Sequence, residues 1–552
     1  MLLRLPTELL LNIVAYLDTP RCLWAVVQCC RFLAKKLTEE LYKSDRQDGK
    51  ALLWGAKKGR KITVLRSLEV AADKGGDAMV LAAQHGHGEI VNLILGGGVD
   101  VNSKHEGGTA LIRASEHGHL DVVELLLQHG ADVNLKNQQG SPLILASKQG
   151  HLDVVQLLIE HGAKIDGGDS KGFSALRWAV HLRRVGVVKV LLDAGANVKC
   201  EEFAGMTSPL LIWAVRSESA SIVGLALGKG ADIESTDIKY RLTPLYWATK
   251  LGVTGIARLL TKHGADVNCI NSGGQTALHQ ACGRGFKDMV ALLLQKGADI
   301  RVPDNSGQTA VHWAAKNDNT DIMNLLLDHG ADLTWVDCKG RTALGIASQR
   351  SRAKVVKFCL YREADVHWKD VNGCDALKYA AWIGSLAIVT LLLEKSANVG
   401  SQDNNHHTAI YWAVEGGKAG VSSDARGQVV QLLVKTAASA NQVKSDELAS
   451  AIEWAAESAQ EVLASFLRRL HTGSESRHAG EHGEVALAKR DRCLYPEILL
   501  AVENKSPLAT VREHDGYLKT RKRSLTLRDL ALDDWHPMDS GGPAKRARKN
   551  LN

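Results

Sequence analysis

From Thr276 onward the chain repeats every thirty-three residues, so that Thr276, Thr309, Thr342, Asp375 and Thr408 share one column. In the copies they open, an Ala follows five residues on (Ala281, Ala314, Ala347, Ala380), and an apolar pair at thirteen and fourteen (Met289 and Val290, Ile322 and Met323, Val355 and Val356, Ile388 and Val389). That spacing predicts two short helices per copy. A Leu run comes next, then Gly-Ala-Asp or a remnant of it, as at Gly297, Ala298 and Asp299; the Gly suits the left-handed residue that ends a helix. An Asp- or Asn-rich stretch with a Gly two residues before the next column start (Gly274, Gly307, Gly340, Gly373) predicts a hairpin tip. A single copy cannot bury both faces of its helix pair, so copies must stack into a solenoid whose core grows one unit at a time.

The opening of each copy, seen in Thr276, Ala277, Leu278, His279, Gln280 and Ala281 and in Thr243, Pro244, Leu245, Tyr246, Trp247 and Ala248, resembles the Thr-Pro-Leu-His-x-Ala of the ankyrin repeat. The resemblance implies an all-α dominated solenoid of helix-turn-helix units with β-hairpin loops, whose hairpins project like fingers beside a concave groove. Further starts fall at 77, 109, 141, 174, 209 and 243, a decayed copy precedes them, and a divergent one carries Trp454, Ala455 and Ala456. About thirteen units are expected over 47–470, with insertions around Cys200 to Phe203 and Ala419 to Arg426.

A length of 552 residues would ordinarily suggest several globular domains, but the periodicity overrides that prior. Lys and Arg number 68 against 61 Asp and Glu, and the resulting +7 does not by itself imply nucleic acid. Ten cysteines without a CxxC pair fit a reducing compartment. The first eighteen residues imitate a signal peptide, yet Pro6, Glu8 and Asp18 interrupt them, and no later apolar run is long enough to span a bilayer, so an intracellular, soluble protein is expected.

Residues 1–46 read as three amphipathic helices. Leu5, Pro6, Glu8, Leu9, Leu10, Ile13, Tyr16, Leu17, Val27, Cys29 and Phe32 resemble the F-box pattern, placed before the repeats as in many fungal F-box and ankyrin proteins. In that family the unit docks on the adaptor Skp1 of a cullin-based ubiquitin ligase. The resemblance implies adaptor contacts at Leu5, Pro6, Leu9, Ile13 and Leu17. The alternative is that these helices merely cap the solenoid, as every array requires at its open end. Residues 471–552 lose the period and read as a mostly disordered tail with two basic clusters, Lys519, Arg521, Lys522 and Arg523, then Lys545, Arg546, Arg548 and Lys549. These are nuclear import signals or simply scattered solvated charge.

Other constellations have plain structural readings. Trp54, Trp178, Trp213, Trp247, Trp313, Trp412 and Trp454 share a column just before the repeat Ala, and Leu81, Leu145, Ile346 and Tyr379 fill it elsewhere, so it is a packing position. His85, His87, His117, His119 and His151 sit in the Gly-His element that closes the first helix in ankyrin repeats, with no thiolate or carboxylate set to complete a metal site. Asp304, Asp337, Asp370 and Asp403 recur before the tip Gly as turn formers. No nucleophile elbow, phosphate-cradling Gly loop or metalloprotease helix is present, so neither catalysis nor a cofactor is expected. Trp335 and Trp368 occupy the same position of successive hairpins, where other copies carry Cys269, Val302 and Ser401. They are either an aromatic anchor for a client protein or a pair packed on each other and the next loop, and Phe203 and Tyr240 are further tip candidates.

Overall fold

A computed structural model of the protein describes residues 49–478 apart from 70, 106, 199–208, 417–422, 441, 443–444 and 458–459, with backbone alone at Ser423 and 472–478. These residues all lie within the unit 1–483. Among the described residues thirteen helix pairs follow one another, from Lys50–Lys58 with Lys61–Leu68 to Ser445–Glu457 with Glu461–His478.

Most first helices from Ala110–His117 onward are set by a side-chain cap. Thr109, Ser141, Ser174, Thr243, Thr342 and Asp375 sit in extended backbone and accept a hydrogen bond from the N–H three residues on. The helices run only seven or eight residues, too short to be stable alone, so burial has to carry them. The column alanines supply it: Ala114, Ala146, Ala179, Ala214, Ala248, Ala281, Ala314, Ala347, Ala380 and Ala413 are wholly buried where neighbouring first helices approach. The apolar pairs of the second helices, such as Met289 and Val290 or Ile388 and Val389, are equally buried. Successive first helices pack against one another more extensively than successive second helices do.

Two expectations are corrected. The loops are not β-hairpins: among the described residues the only β pairing is two isolated bridges, His105 with Gly108 and Asn137 with Gly140, because the tips are closed by side-chain carboxylates. The copy expected from Asp77 begins its helix at Gly75, behind a 3₁₀ turn at Ala72–Lys74, since no Ser, Thr or Asp stands at the cap. The extra residues near Arg426 partly lengthen a second helix, Ser423–Ser439, which still buries Val429 and Val430.

Candidate functional site

The turn before six of the described first helices is organised by one aspartate, and Asn137 and Asn271 take its place in two others. Asp304 accepts the N–H groups of Ser306 (2.8 Å) and Gln308 (2.9 Å) on Oδ1, which closes the turn, and the indole N–H of Trp313 (2.9 Å) on Oδ2. Asp403 does the same for Asn405, His407 and Trp412. Asp169 and Asp237 take the indoles of Trp178 (2.9 Å) and Trp247 (3.0 Å). Where the column residue is Tyr379, its hydroxyl donates to Asp370. Where it is Ile346, Asp337 is engaged instead by Arg341 (2.6 Å) and by Gln308 of the preceding repeat (3.1 Å). A charged acceptor thus fastens the tip to the helix behind it.

Successive tips are joined in series. The N–H groups of Ser272, Asn305, Cys338, Val371 and Asn404 donate to the carbonyls of Tyr240, Gly273, Ser306, Lys339 and Asn372, each at 3.0 Å. Gly307 has φ +72°, and a methyl group there would lie 2.6 Å from the Cys338 nitrogen, so both conformation and proximity require glycine. Beneath the tips, Thr276 and Thr309 donate backbone N–H to Nδ1 of His279 and His312 (3.1 Å each). The opposite ring nitrogens donate to the carbonyls of Gln308 and Trp335 (3.0 Å each) in the next turn. Burial lowers both imidazole pKa values, in keeping with neutral rings. In the repeat at Asp375 the pair becomes Asp375 and Lys378 at 2.7 Å, both buried, with Ser401 3.1 Å from the ammonium.

The Gly-His rings join neighbours on the same pattern. His87, His119 and His151 place Nε2 on the carbonyls of Lys57 (3.2 Å), Gln84 (3.0 Å) and Glu116 (3.1 Å), each at the end of the preceding first helix. Arg352 occupies this role through Nε to Lys316 O (2.7 Å).

The tip aromatics are not equivalent. Trp335 is half-buried, its carbonyl held by His312. Trp368 is 41% exposed, and its indole N–H donates to Gly340 O (2.8 Å) of the preceding tip, beside a small cleft lined by Arg341, Asp365, Asp370 and Tyr379. Tyr240 is exposed with Lys239 5.1 Å above its ring. Phe203, the segment holding Leu5, Pro6, Leu9, Ile13 and Leu17, and both basic clusters lie outside the described residues.

The family model described as ankyrin repeats matches residues 52–137, 132–202, 211–304, 300–370 and 353–441, well over half of the chain. The chain belongs to the ankyrin-repeat family. Similar proteins include the B-cell lymphoma 3 protein homolog of Mus musculus, 34% identical over 121 residues, which make up 21% of this chain and 27% of that protein. A putative ankyrin repeat-containing protein of Treponema pallidum is 33% identical over 100 residues, 18% of this chain and 33% of that one. The palmitoyltransferase Hip14 of Drosophila melanogaster is 33% identical over 111 residues, 20% of this chain and 17% of that protein. The chain therefore spans a third or less of these relatives. Among solved structures, the ankyrin repeat domain of Bcl-3 is 30% identical, covering 40% of this chain and all of that domain, with a TM-score of 0.37. Ankyrin repeats mark a protein-protein interaction module. No described helix is long and apolar enough to cross a membrane.

Within the ankyrin array, two features escaped the sequence reading. The link from turn Asp to column Trp was visible as a nine-residue spacing (Asp169 to Trp178, Asp304 to Trp313, Asp403 to Trp412). A row of Lys and Arg along the first helices was visible once the helices are sorted into first and second.

Proposed function

We propose that the protein is the substrate-recognition subunit of an SCF-type ubiquitin ligase. In this reading residues 1–46 hold a Skp1-like adaptor through Leu5, Pro6, Leu9, Ile13 and Leu17, and the ankyrin array holds a client on its concave face and tips. The single observation that carries it is the Leu-Pro-x-Glu-Leu-Leu segment at Leu5 to Leu10 standing before an ankyrin array. A bare cap needs amphipathic helices but not that opening. The chain supplies no chemistry of its own; it raises the client's effective concentration near a ubiquitin-charged enzyme. Trp368, Trp335, Tyr240 and Phe203 are the client contacts assigned, Trp368 first because its exposed ring is fixed by its bond to Gly340. The basic clusters ending the chain fit a protein of the cytoplasm and nucleus.

A second reading, an ankyrin scaffold with no ubiquitin role, is favoured by the terminal repeats, whose long helices Ser445–Glu457 and Glu461–His478 form a cap at the other end. A Skp1 pull-down separates the two. Wild-type chain retains the adaptor, and Pro6→Ser with Leu9→Asp loses it; equal retention, or none by either, favours the scaffold.

A further inference from the structure

Charge is sorted between the two helices of each repeat. The eight first helices from Pro142–Gln149 to Ala376–Ile383 contain Lys148, Arg177, Arg216, Lys250, Arg284, Lys316 and Lys378 and no Asp or Glu. The eight second helices paired with them carry seven acids against six cations. On that side charges pair across repeats, as Lys287 does with Asp321 (3.3 Å). By contrast, Lys148, Lys250, Arg284 and Lys316 make no ion pair with a carboxylate among the described residues.

Five of these seven cations are seated on the tryptophan column. Arg177 lies 4.4 Å from the Trp213 ring, Arg216 lies 4.5 Å from Trp213 and 5.0 Å from Trp247, and Lys250 lies 4.5 Å from Trp247. Cation and indole thus alternate without a break across three repeats. Lys148 over Trp178 (4.7 Å) and Lys316 over Trp313 (4.3 Å) extend the row at either side. Indole faces hold the cations in place and partly strip their water. Like charges crowd one another: burial first, then Arg284 and Arg216, lower the Lys250 pKa, though Asp237 opposes them. Lys316 falls to about 8 through burial, with Arg350 and Arg341 adding to the effect against Asp304 and Asp337. Those aspartates are already committed to Trp247, Trp313, Arg341 and the turn N–H groups.

We infer that this face binds an extended acidic segment of a client protein, running across the first helices with carboxylates meeting Lys148, Arg216, Lys250, Arg284, Lys316 and Arg350. The inference rests on the reading that the concave face holds a client, and adds the client's chemistry. Packed helix layers recur every ~8–10 Å, and an extended chain of the polyproline II kind advances ~3.1 Å per residue with about three residues per turn, so an acidic residue at every third position stays on one face and matches one cation per repeat. A single nucleic-acid strand fits less well, because bases need open aromatic faces for stacking and these indoles are covered by cations.

The test uses the full chain and fluorescence anisotropy of a labelled 24-residue peptide of eight Glu-Gly-Ser triplets. Its Gln-Gly-Ser counterpart and a 20-nucleotide oligothymidine serve as competitors for specificity. The Glu peptide should bind with an affinity that falls as salt rises. Arg216→Gln with Lys250→Gln and Lys316→Gln should weaken it at least tenfold, while Lys189→Gln with Arg258→Gln and Lys357→Gln, the same charge removed from second helices, should leave it within twofold. Far-UV circular dichroism and a melt confirm that both triple variants are folded. No binding of the Glu peptide, equal binding of the Gln peptide, equal loss in the second-helix variant, or tighter binding of the oligothymidine would each overturn the inference. Adaptor retention measured in parallel separates the two proposals: a chain that holds Skp1 but ignores the acidic peptide refutes this inference alone, and the converse refutes the ligase reading alone.

Discussion

Replacing Asp304 tests the tip-to-helix fastening most sharply. Its carboxylate is 8% exposed and serves three donors, of which the indole N–H of Trp313 and the backbone N–H of Gln308 are buried. Hydrogen bonds to a charged partner contribute ~1.5–3 kcal/mol each, so leaving two buried donors unmet in Asp304→Ala should cost about 3–6 kcal/mol. Asp304→Asn keeps an oxygen for the turn and sets an NH₂ group against the indole, which should cost about 1–2 kcal/mol. Trp313→Phe removes the donor instead. If the contact acts as a unit, Asp304→Asn in the Trp313→Phe background should cost at least ~1 kcal/mol less than in wild type. Urea unfolding followed by far-UV circular dichroism gives the midpoints, with limited proteolysis near residue 304 reporting local opening where a long array departs from two-state behaviour. Strict additivity of the two substitutions, or an Asp304→Asn protein as stable as wild type, would refute the fastening.

Three further outcomes follow from the geometry. Gly307→Ala should destabilise by about 1–3 kcal/mol, because it combines a left-handed φ with a 2.6 Å approach to Cys338 N, whereas Gly297→Ala, left-handed but with open space around it, should cost about 1 kcal/mol; thermal melts of the pair decide this. His279 and His312 have folded pKa values below the ordinary 6.5, so the unfolded chain binds protons first as pH falls below that value, and stability should be lost on acidification through this window, less so in a variant with Gln at both positions. Lys316, at about 8 against an ordinary 10.5, releases its proton in the folded state before the unfolded one, so stability should rise between pH 8 and 10.5. Lys316→Met should abolish that rise and gain about 1–2 kcal/mol at pH 7, after allowance for its partial exposure, as read from urea midpoints at the two ends of the window.

The stacking was legible because it is written in local spacing: column residues Thr109, Ser141, Ser174, Thr243 and Thr276 turned out to be the helix caps themselves. The tips were misread as hairpins because Gly307 and its equivalents signal a reversal without saying what closes it, and a carboxylate that takes two turn N–H groups leaves little for strand pairing. Trp313 and Asp304 were assigned separately to packing and to the turn, and a single 2.9 Å contact joins both roles. The basic row was hidden because a net charge of +7 does not say where the cations fall: those of the first helices stand without acids, while the second helices hold both signs in near balance. Trp335 and Trp368, identical by register, diverge because only Trp368 finds a carbonyl of the preceding tip for its indole.

The most direct measurement is amide hydrogen exchange of the full chain with and without a client recovered by affinity purification. Protection should concentrate in the first helices from Pro142–Gln149 to Ala343–Gln349 and in the tips from Asp237 to Thr342, with second helices such as Leu152–Glu160 and Thr320–Asp328 unchanged. Protection confined to the second helices, or spread evenly over both, would contradict a partner gripped on the first-helix face.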